Sequence, residues 1–412
     1  INNMQFNKAY TYALSNKEKF NNMNDEQIIT HLKKQYLEYR NNWVNAINKK
    51  NKSNPLSIDI ELASICDLAC PHCSREYIVT PDKIMDFDLY KKIIDEISEM
   101  SVPSIKLNWR GEPLLHPNIS KCIDYAKRKG ILEVIINTNA TMLTKKKSEE
   151  LIDSGLDYMI YSFDGGTKKT YEKMRPGRFK KNQYENIVKN IIDFNEVRFK
   201  KKAKFPITKI QMIMTSDTRN EIDEFYKTFE NIVDDVTVTQ YNERGGGLND
   251  LDENIKKKLI KYLKDKNLSP NTSYMVDIDK NIYVSEKRKT CEQIYQRLMI
   301  TYNGRVGMCC HDWGAQHGLG FINKNAFNEN KEFNEVMTKV KSKKKGFELL
   351  SNVSMPQNFN EPKHNVSTLK EIWKGDELNK VRKNHECGKV DDVEVCKNCT
   401  FKDTYEWTKV EL

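Results

Sequence analysis

Short apolar runs alternate with amphipathic segments along the chain from residue 57 to about residue 242. The apolar runs, which predict strands, lie at 57–63, 104–109, 132–137, 158–163, 207–214 and 236–240. The segments between them repeat apolar residues every three or four positions and predict helices near 85–100, 118–129, 144–154, 167–174, 183–198 and 220–233. Six such units predict an α/β fold with a parallel sheet and helices outside it. We expect a partial (β/α)6 barrel that binds its ligands at the carboxyl ends of the strands.

The regions on either side of this barrel have different patterns. Residues 24–48 predict one amphipathic helix within an N-terminal helical extension, 1–56. The barrel region, 57–250, ends just after three consecutive glycines. A bridging helical segment, 251–290, precedes a cysteine-bearing region, 291–412, which contains a polar and irregular insertion near 318–361.

Charge and hydropathy exclude some classes of protein. The 412 residues include 68 Lys and Arg against 58 Asp and Glu, a formal charge of +10. The lysines are scattered among acidic residues rather than gathered in a stripe, which disfavours a nucleic-acid partner. The chain contains no run of 18 apolar residues, so we expect no membrane span. The first thirty residues are rich in Asn and Lys and do not have the pattern of a signal peptide. We therefore expect a cytoplasmic protein without a membrane partner.

The ten cysteines are grouped, which indicates metal or redox chemistry rather than a disulfide framework. Cys66, Cys70 and Cys73 follow the first predicted strand with the spacing C-x3-C-x2-C. Three thiolates bind three irons of a [4Fe–4S] cluster and leave the fourth iron open to a small chelating ligand. The alternative is a zinc knuckle, which needs a fourth ligand. His72 is a poor candidate for it, because it lies between two ligands.

This loop resembles the signature of the radical S-adenosylmethionine (radical SAM) superfamily, and the resemblance covers residues 57–242 and the cysteine-rich end. It implies a TIM-like partial barrel, a [4Fe–4S] cluster, S-adenosylmethionine, and a flavodoxin- or ferredoxin-type electron donor. In the family, the reduced cluster cleaves S-adenosylmethionine to a 5′-deoxyadenosyl radical, which takes a hydrogen atom from the substrate. The residue before the third cysteine is often an aromatic that packs on adenine. Here it is His72, which can also stack.

Two strand ends resemble the family's cofactor-binding positions. Gly111, Glu112 and Pro113 follow the second predicted strand and are similar to the motif that binds the methionine amino group. Asn137 and Asn139 end the third strand and resemble polar positions that face the nucleoside.

The fourth strand end adds three further candidates. Ser162 and Asp164 match positions where the family often binds the ribose, and Arg175 matches an arginine that contacts the cofactor carboxylate. For each residue the alternative role is turn chemistry or a salt bridge.

A second set of cysteines resembles the SPASM and twitch extensions of the same superfamily. Cys291, twelve residues, Gly304, four residues and Cys309 open the motif, and Cys396 and Cys399 close it. The resemblance implies one auxiliary [4Fe–4S] cluster with four thiolate ligands, which serves electron transfer. The alternative is a four-cysteine zinc ribbon.

Three cysteines remain outside these two motifs. Cys122 lies on the apolar face of a predicted helix and is expected in the core. Cys310 and Cys387 lie near predicted ligands, and each is a spare ligand, a hydrogen-atom donor or inert. His311 and Asp312, beside the second cluster, are candidate bases for a hydroxyl proton.

The substrate follows only from resemblance. The segment 309–313 resembles members of sugar and aminoglycoside-type pathways, which implies hydrogen abstraction from a sugar- or cyclitol-like substrate, followed by oxidation or epimerisation. The first alternative is a radical maturase that modifies a ribosomally made peptide. Residues 1–50 disfavour it, because they predict one helix and no strand pair of a leader-binding domain. An RNA-binding or RNA-modifying iron–sulfur protein is the second alternative, and it lacks aromatic platforms beside a basic stripe.

Overall fold

The computed structural model describes most of the chain. The described residues are 25–73, 75, 82–240, 251–270, 272–277, 280–312, 315, 317–324, 326, 366–397, 399 and 401–412. Of residues 25–29, 31–33, 240 and 402 only the backbone is described. The glycine run 245–247, Trp313, residues 1–24 and most of the expected insertion lie outside the described residues.

All six strands and six helices that the sequence predicts for the barrel are present. The strands are β1 (Ser57–Ile60), β2 (Ser104–Lys106), β3 (Glu133–Thr138), β4 (Tyr158–Ser162), β5 (Ile207–Met214) and β6 (Asp235–Gln240). The helices, after an N-terminal helix α1 (Asp25–Asn45), are α2 (Phe87–Glu99), α3 (Ile119–Arg128), α4 (Lys145–Ser154), α5 (Lys168–Met174), α6 (Tyr184–Lys200) and α7 (Ile222–Phe229).

The six barrel strands pair in chain order and in parallel. Ile58 pairs with Ile105, Ile105 with Val134, and the same parallel arrangement continues to β6. The core lies between this sheet and its helices: Ile58 of β1 and Ile93 of α2 are both fully buried. All carboxyl ends of the parallel strands therefore meet at one edge, as the partial-barrel prediction requires.

The cysteine-bearing region continues the barrel sheet. It begins with the short helix α9 (Gln293–Gln296) and the strands β9 (Arg297–Ile300), β10 (Arg305–Gly307) and β11 (Gly318–Phe321). Strand β9 runs parallel to β1, and β10 and β11 follow as antiparallel strands, so the sheet has nine strands in the order β11-β10-β9-β1-β2-β3-β4-β5-β6.

Strand β11 lies where the sequence predicts the start of an irregular insertion. Its four residues are all buried. A Cβ atom on Gly318 would lie 2.7 Å from the Arg305 guanidinium, and one on Gly320 would lie 2.9 Å from Ile372. The two glycines permit this close packing, and they also hide the apolar alternation that would reveal a strand.

The remaining elements form a second sheet and a small helical unit. Helix α8 (Glu253–Asp265) is followed by β7 (Tyr274–Val276) and β8 (Ile282–Val284), and β8 pairs with β12 (Thr408–Val410) near the chain end. The sequence predicts only the helix here. The helical unit contains α10 (Leu369–Lys374), α11 (Asp376–Glu386) and α12 (Glu394–Lys397). Within the described residues, no helix is long and apolar enough to cross a membrane.

Candidate functional site

The three-cysteine loop lies at the carboxyl end of β1 and is held by the segment that follows α5. The Ala69 N–H donates to the Pro176 carbonyl at 2.9 Å, and the Arg178 N–H donates to the Asp67 carbonyl at 2.8 Å. Cys70 and Cys73 are brought into one turn, because the Cys73 N–H donates to the Cys70 carbonyl at 2.9 Å. The loop is thus fixed by backbone hydrogen bonds.

The surroundings of these three cysteines favour thiolates bound to iron over free thiolates. Burial raises the pKa of the Cys66 thiol well above its ordinary value, and it raises the pKa of Cys70 to about 12. A thiolate is stable in such surroundings only beside positive charge, which iron provides. The donor set therefore fits an iron–sulfur cluster.

Gly111 brings the end of β2 against the start of the cysteine loop. Its φ angle is +72°, and a Cβ atom there would lie 2.3 Å from the Ala63 carbonyl oxygen and 2.6 Å from that of Ile65. The next residue, Glu112, donates its N–H to the Ile65 carbonyl at 2.8 Å. Only glycine permits this approach, because any side chain would overlap the backbone.

The Glu112 carboxylate joins the ends of β2 and β3. Its Oε1 accepts hydrogen bonds from Leu114 N–H at 3.0 Å and Thr138 Oγ1 at 2.7 Å, and its Oε2 accepts one from Asn139 N–H at 2.8 Å. Burial raises the pKa of Glu112 to about 7, despite these three donors. Pro113, next in the chain, begins a 3₁₀ turn that Glu112 caps. The carboxylate thus positions two strand ends, and its contact with the methionine amino group stays a prediction.

Asn139 points from β3 to the cysteine loop. Its side-chain amide donates to Asp67 Oδ1 at 2.9 Å and lies 3.9 Å from the Cys66 sulfur. Asn137, two residues earlier, has a buried Oδ1 atom without a hydrogen-bond partner. An unpartnered buried amide oxygen near the carboxyl end of β3, before Asn139, suits a ligand that donates hydrogen bonds, and its contact with a nucleoside stays a prediction.

Asp164 and Arg175 form a buried ion pair beside the cluster loop, and His72 of the loop contacts Asp164. Asp164 Oδ2 lies 2.6 Å from the Arg175 guanidinium and 3.2 Å from His72 Nε2, and its Oδ1 accepts from Ile213 N–H at 2.8 Å. Burial alone would raise the pKa of Asp164, but the positive charge of Arg175 holds this pKa at about 2. Ser162 is half-buried at the end of β4. The predicted contacts of all four with adenine, ribose and carboxylate stay predictions.

A cavity in the cysteine-bearing region is lined by all four predicted auxiliary ligands. Cys291, Cys309, Cys396 and Cys399 all contribute to its wall. Burial raises the pKa of each of the first three thiols, that of Cys291 to about 12. Residues separated by more than 100 positions thus meet around a space that suits a cluster.

His385, which the sequence does not single out, lies between two of these cysteines. Its Nδ1 accepts the Cys291 N–H at 3.2 Å, and its Nε2 lies 3.3 Å from the Cys396 sulfur. The residue is 2% exposed, and burial lowers its pKa to about 4. No spacing rule indicates it, since its contacts are 94 and 11 residues away.

The four candidate catalytic residues lie in different places. His311 and Asp312 line the auxiliary cavity, and the His311 ring is 4.8 Å from the ring of Phe401. Cys310 is half-buried, and its thiol is 3.6 Å from Gln293 Oε1. Cys387 is exposed at the end of α11. Their catalytic roles stay predictions. Cys122 is fully buried in the core, as predicted.

Two contacts that the sequence does not predict connect the barrel with the extension. The Trp109 indole N–H donates to the Cys310 carbonyl at 3.1 Å. Arg110 forms a buried two-point ion pair with Glu61, whose second oxygen also accepts the Tyr302 N–H at 3.1 Å.

Among the described residues, no three His, Cys, Asp or Glu side chains converge closely enough to hold a single metal ion. Each thiolate of an iron–sulfur cluster binds its own iron, so a cluster does not require such convergence.

A partial barrel with a three-cysteine loop at the end of its first strand defines the class of protein. Residues 60–229 match the family model of the radical SAM superfamily. This chain therefore contains a radical SAM domain, and its cofactors are a [4Fe–4S] cluster and S-adenosylmethionine.

The curated relatives resemble part of the chain. The AdoMet-dependent heme synthase of Methanosarcina barkeri is 30% identical over 179 residues, 43% of this chain and 46% of that protein. The PqqA peptide cyclase of Bradyrhizobium diazoefficiens is 30% identical over 112 residues, 27% of this chain and 29% of that protein. The chain thus spans less than half the length of each.

A solved structure has the same fold over most of its length. It is described as native anSMEcpe with bound AdoMet, and it has a TM-score of 0.50 at 17% identity. The match covers 87% of this chain and 93% of that one.

Proposed function

We propose that this chain is a radical SAM enzyme that modifies a ribosomally made peptide. The observation that supports a peptide substrate is the similarity to two proteins named PqqA peptide cyclase, from Bradyrhizobium diazoefficiens and Gluconobacter oxydans. Because of this similarity, we prefer a peptide substrate to the sugar-like substrate that the sequence motifs favour. The match covers about a third or less of the length of those proteins, so a peptide substrate is proposed for this chain rather than shown.

In this proposal, the residues around the three-cysteine loop hold the cofactors. Cys66, Cys70 and Cys73 bind the cluster, and Gly111 leaves room for the loop that carries them. Glu112 and Asn139 fix the strand ends beside it through the hydrogen bond between Asn139 N–H and Glu112 Oε2. Together, the bound cluster and S-adenosylmethionine supply a 5′-deoxyadenosyl radical that removes a hydrogen atom from the substrate.

The proposal assigns the second set of cysteines to an auxiliary [4Fe–4S] cluster. Its support is the cavity that Cys291, Cys309, Cys396 and Cys399 line together. Four thiolates occupy all four irons, so this cluster serves electron transfer rather than cofactor binding. A flavodoxin- or ferredoxin-type donor is the expected source of electrons.

Oxidation or epimerisation of a sugar- or cyclitol-like substrate is the second candidate function. The observation that favours it is the position of His311 and Asp312 in the wall of the auxiliary cavity. Alcohol oxidation needs a base for the hydroxyl proton, and these two side chains lie beside the proposed electron acceptor.

The first experiment tests the radical chemistry. Anaerobically reconstituted protein is incubated with S-adenosylmethionine and dithionite, and 5′-deoxyadenosine is measured. We expect its formation in the wild type and none in Cys70→Ala, whereas the matched Cys387→Ala variant, altered at an exposed cysteine, retains it. Formation by Cys70→Ala at the wild-type rate would refute the proposal.

The second experiment separates the two substrate classes. Short peptides encoded beside the gene are offered to the enzyme and analysed by mass spectrometry, in parallel with sugars and aminocyclitols. A mass change in a peptide that depends on S-adenosylmethionine supports the first proposal. Turnover of a sugar alone supports the second.

A further inference from the structure

His385 occupies a fixed position at the auxiliary cavity. It lies in the last turn of α11, three residues after Arg382, on the same buried face of the helix. Arg382 is fully buried and donates to the carbonyls of Ile294 and Trp373 at 3.1 and 3.0 Å. The first bond holds α11 against α9, which follows Cys291, and the second holds it against α10.

The hydrogen bonds of His385 determine which ring nitrogen carries the proton. The Cys291 N–H is a donor, so the Nδ1 atom that faces it at 3.2 Å is an acceptor. In a neutral imidazole, the proton is then on Nε2. That N–H lies 3.3 Å from the Cys396 sulfur, within the range of an N–H···S hydrogen bond.

We infer that His385 donates its Nε2–H to the Cys396 thiolate and thereby raises the reduction potential of the auxiliary cluster. The inference rests on the auxiliary cluster proposed above. Reduction adds negative charge to the cluster and its sulfurs, so a hydrogen bond to a ligand sulfur stabilises the reduced state more than the oxidised one. His385 is a positioning and tuning residue, because it touches a ligand rather than the substrate.

A backbone donor lies near the same cluster. The Phe401 N–H donates to the Cys399 sulfur at 3.4 Å. That bond comes from the main chain and is present in every side-chain variant. Substitution of His385 therefore removes the donor to the Cys396 sulfur and the acceptor of the Cys291 N–H, and it leaves this backbone bond to Cys399 in place.

The chain offers a matched control for this histidine. His116 is also buried, its Nδ1 accepts the Asn118 N–H at 3.1 Å, and its Nε2 lies 3.0 Å from the Met85 carbonyl. It has the same two-point arrangement as His385, with a carbonyl in place of the thiolate. Replacement of either histidine removes a buried imidazole, but only one replacement removes a donor to a cluster ligand.

The test uses full-length protein with Cys66, Cys70 and Cys73 changed to Ala, so that the auxiliary cluster alone is reconstituted. Its midpoint potential is measured by EPR during redox titration. With His385→Leu, we expect the ratio of reduced to oxidised cluster at a fixed potential to fall about tenfold, a shift of about 59 mV for one electron. His116→Leu should leave the potential unchanged, and His385→Gln, which can both accept and donate, should restore part of the shift.

A spectroscopic measurement that does not need the His385→Leu variant keeps the inference falsifiable if that variant fails to fold. With ¹⁵N-labelled histidine, pulsed EPR of the reduced auxiliary cluster should detect a coupled nitrogen, which persists in His311→Phe and disappears in His385→Gln. If a cluster of about four irons assembles but shows no coupled nitrogen, the role of His385 is overturned. An unchanged potential in His385→Leu overturns the same role, and neither result affects the auxiliary cluster. Absence of any cluster overturns the auxiliary cluster as well.

Discussion

The Trp109 indole N–H donates to the Cys310 carbonyl, and this bond joins two halves of the candidate site. Trp109 lies three residues before Glu112 at the end of β2, and Cys310 directly follows the proposed ligand Cys309. The two residues are 201 positions apart, and both pack against Met299 and Ala315. This contact, together with the pairing of β9 with β1, connects the auxiliary cavity to the barrel.

The first prediction concerns this bond. Trp109→Phe should cost about 1 kcal/mol of stability by loss of one hydrogen bond, and Trp109→Ala about 3–5 kcal/mol. Both variants should lose auxiliary iron to a chelator faster than the wild type. Trp373→Phe is the control, because it removes an indole hydrogen bond of the same kind, from Trp373 to the Lys52 carbonyl at 3.2 Å, in which no cysteine takes part. Equal iron loss from the Trp109 and Trp373 variants would contradict the assignment.

The second prediction separates backbone strain from crowding at the cysteine loop. Gly111 and Gly130 both have positive φ angles, but a Cβ atom on Gly130 would have nothing within 4 Å. Gly130→Ala should therefore cost about 1–2 kcal/mol, the cost of the left-handed conformation. Gly111→Ala should cost clearly more, and it should reduce iron bound at the primary site, because the new methyl group displaces the backbone at Ala63 and Ile65. Thermal unfolding and iron content measure the two effects.

The third prediction follows from the raised pKa of Glu112. The carboxyl group titrates near 4.5 when unfolded and near 7 when folded, so between these values the folded protein holds more protons. The contribution of Glu112 to stability is then fully present below pH 4.5 and is lost as the pH rises through 7. We expect the melting temperature of protein without S-adenosylmethionine to fall more steeply over this range in the wild type than in Glu112→Gln. Identical slopes would show that another group titrates.

Glu112 also provides a prediction for cofactor binding. Glu112→Ala removes the acceptor of three hydrogen bonds and frees the end of β3, where Asn139 lies. The motif implies a charge-assisted hydrogen bond from the methionine amino group to Glu112, and loss of such a bond costs about 1.5–3 kcal/mol. Affinity for S-adenosylmethionine should therefore fall tenfold or more while both clusters still assemble. Isothermal titration under anaerobic conditions measures it, and unchanged affinity would mean that the motif has been misread.

The final prediction counts irons. Wild-type protein should bind about eight irons, in two cubanes. Cys70→Ala and Cys396→Ala should each retain about four, and Cys387→Ala, altered at an exposed cysteine, should retain about eight. A wild-type content near four that Cys396→Ala leaves unchanged would exclude the auxiliary cluster.

The order of strands and helices in the barrel and the position of the cysteine loop could be predicted from the sequence. Both depend on local information: apolar periodicity along ten to twenty residues, and ligand spacing within one loop. Each predicted barrel element is present within a few residues of its expected bounds. The family resemblance followed from the same local motifs.

Which distant residues meet at the sites could be seen only in the folded structure. Nothing local to β9 or β11 indicates that they extend the barrel sheet beyond β1, since strand pairing depends on the packing of the whole domain. His385 and Trp109 reach the cysteines across 94 and 201 residues, because helix α11 and strand β2 are held in place by contacts elsewhere. Sequence spacing fixes the ligands of one loop, whereas the groups that surround those ligands are fixed by the fold.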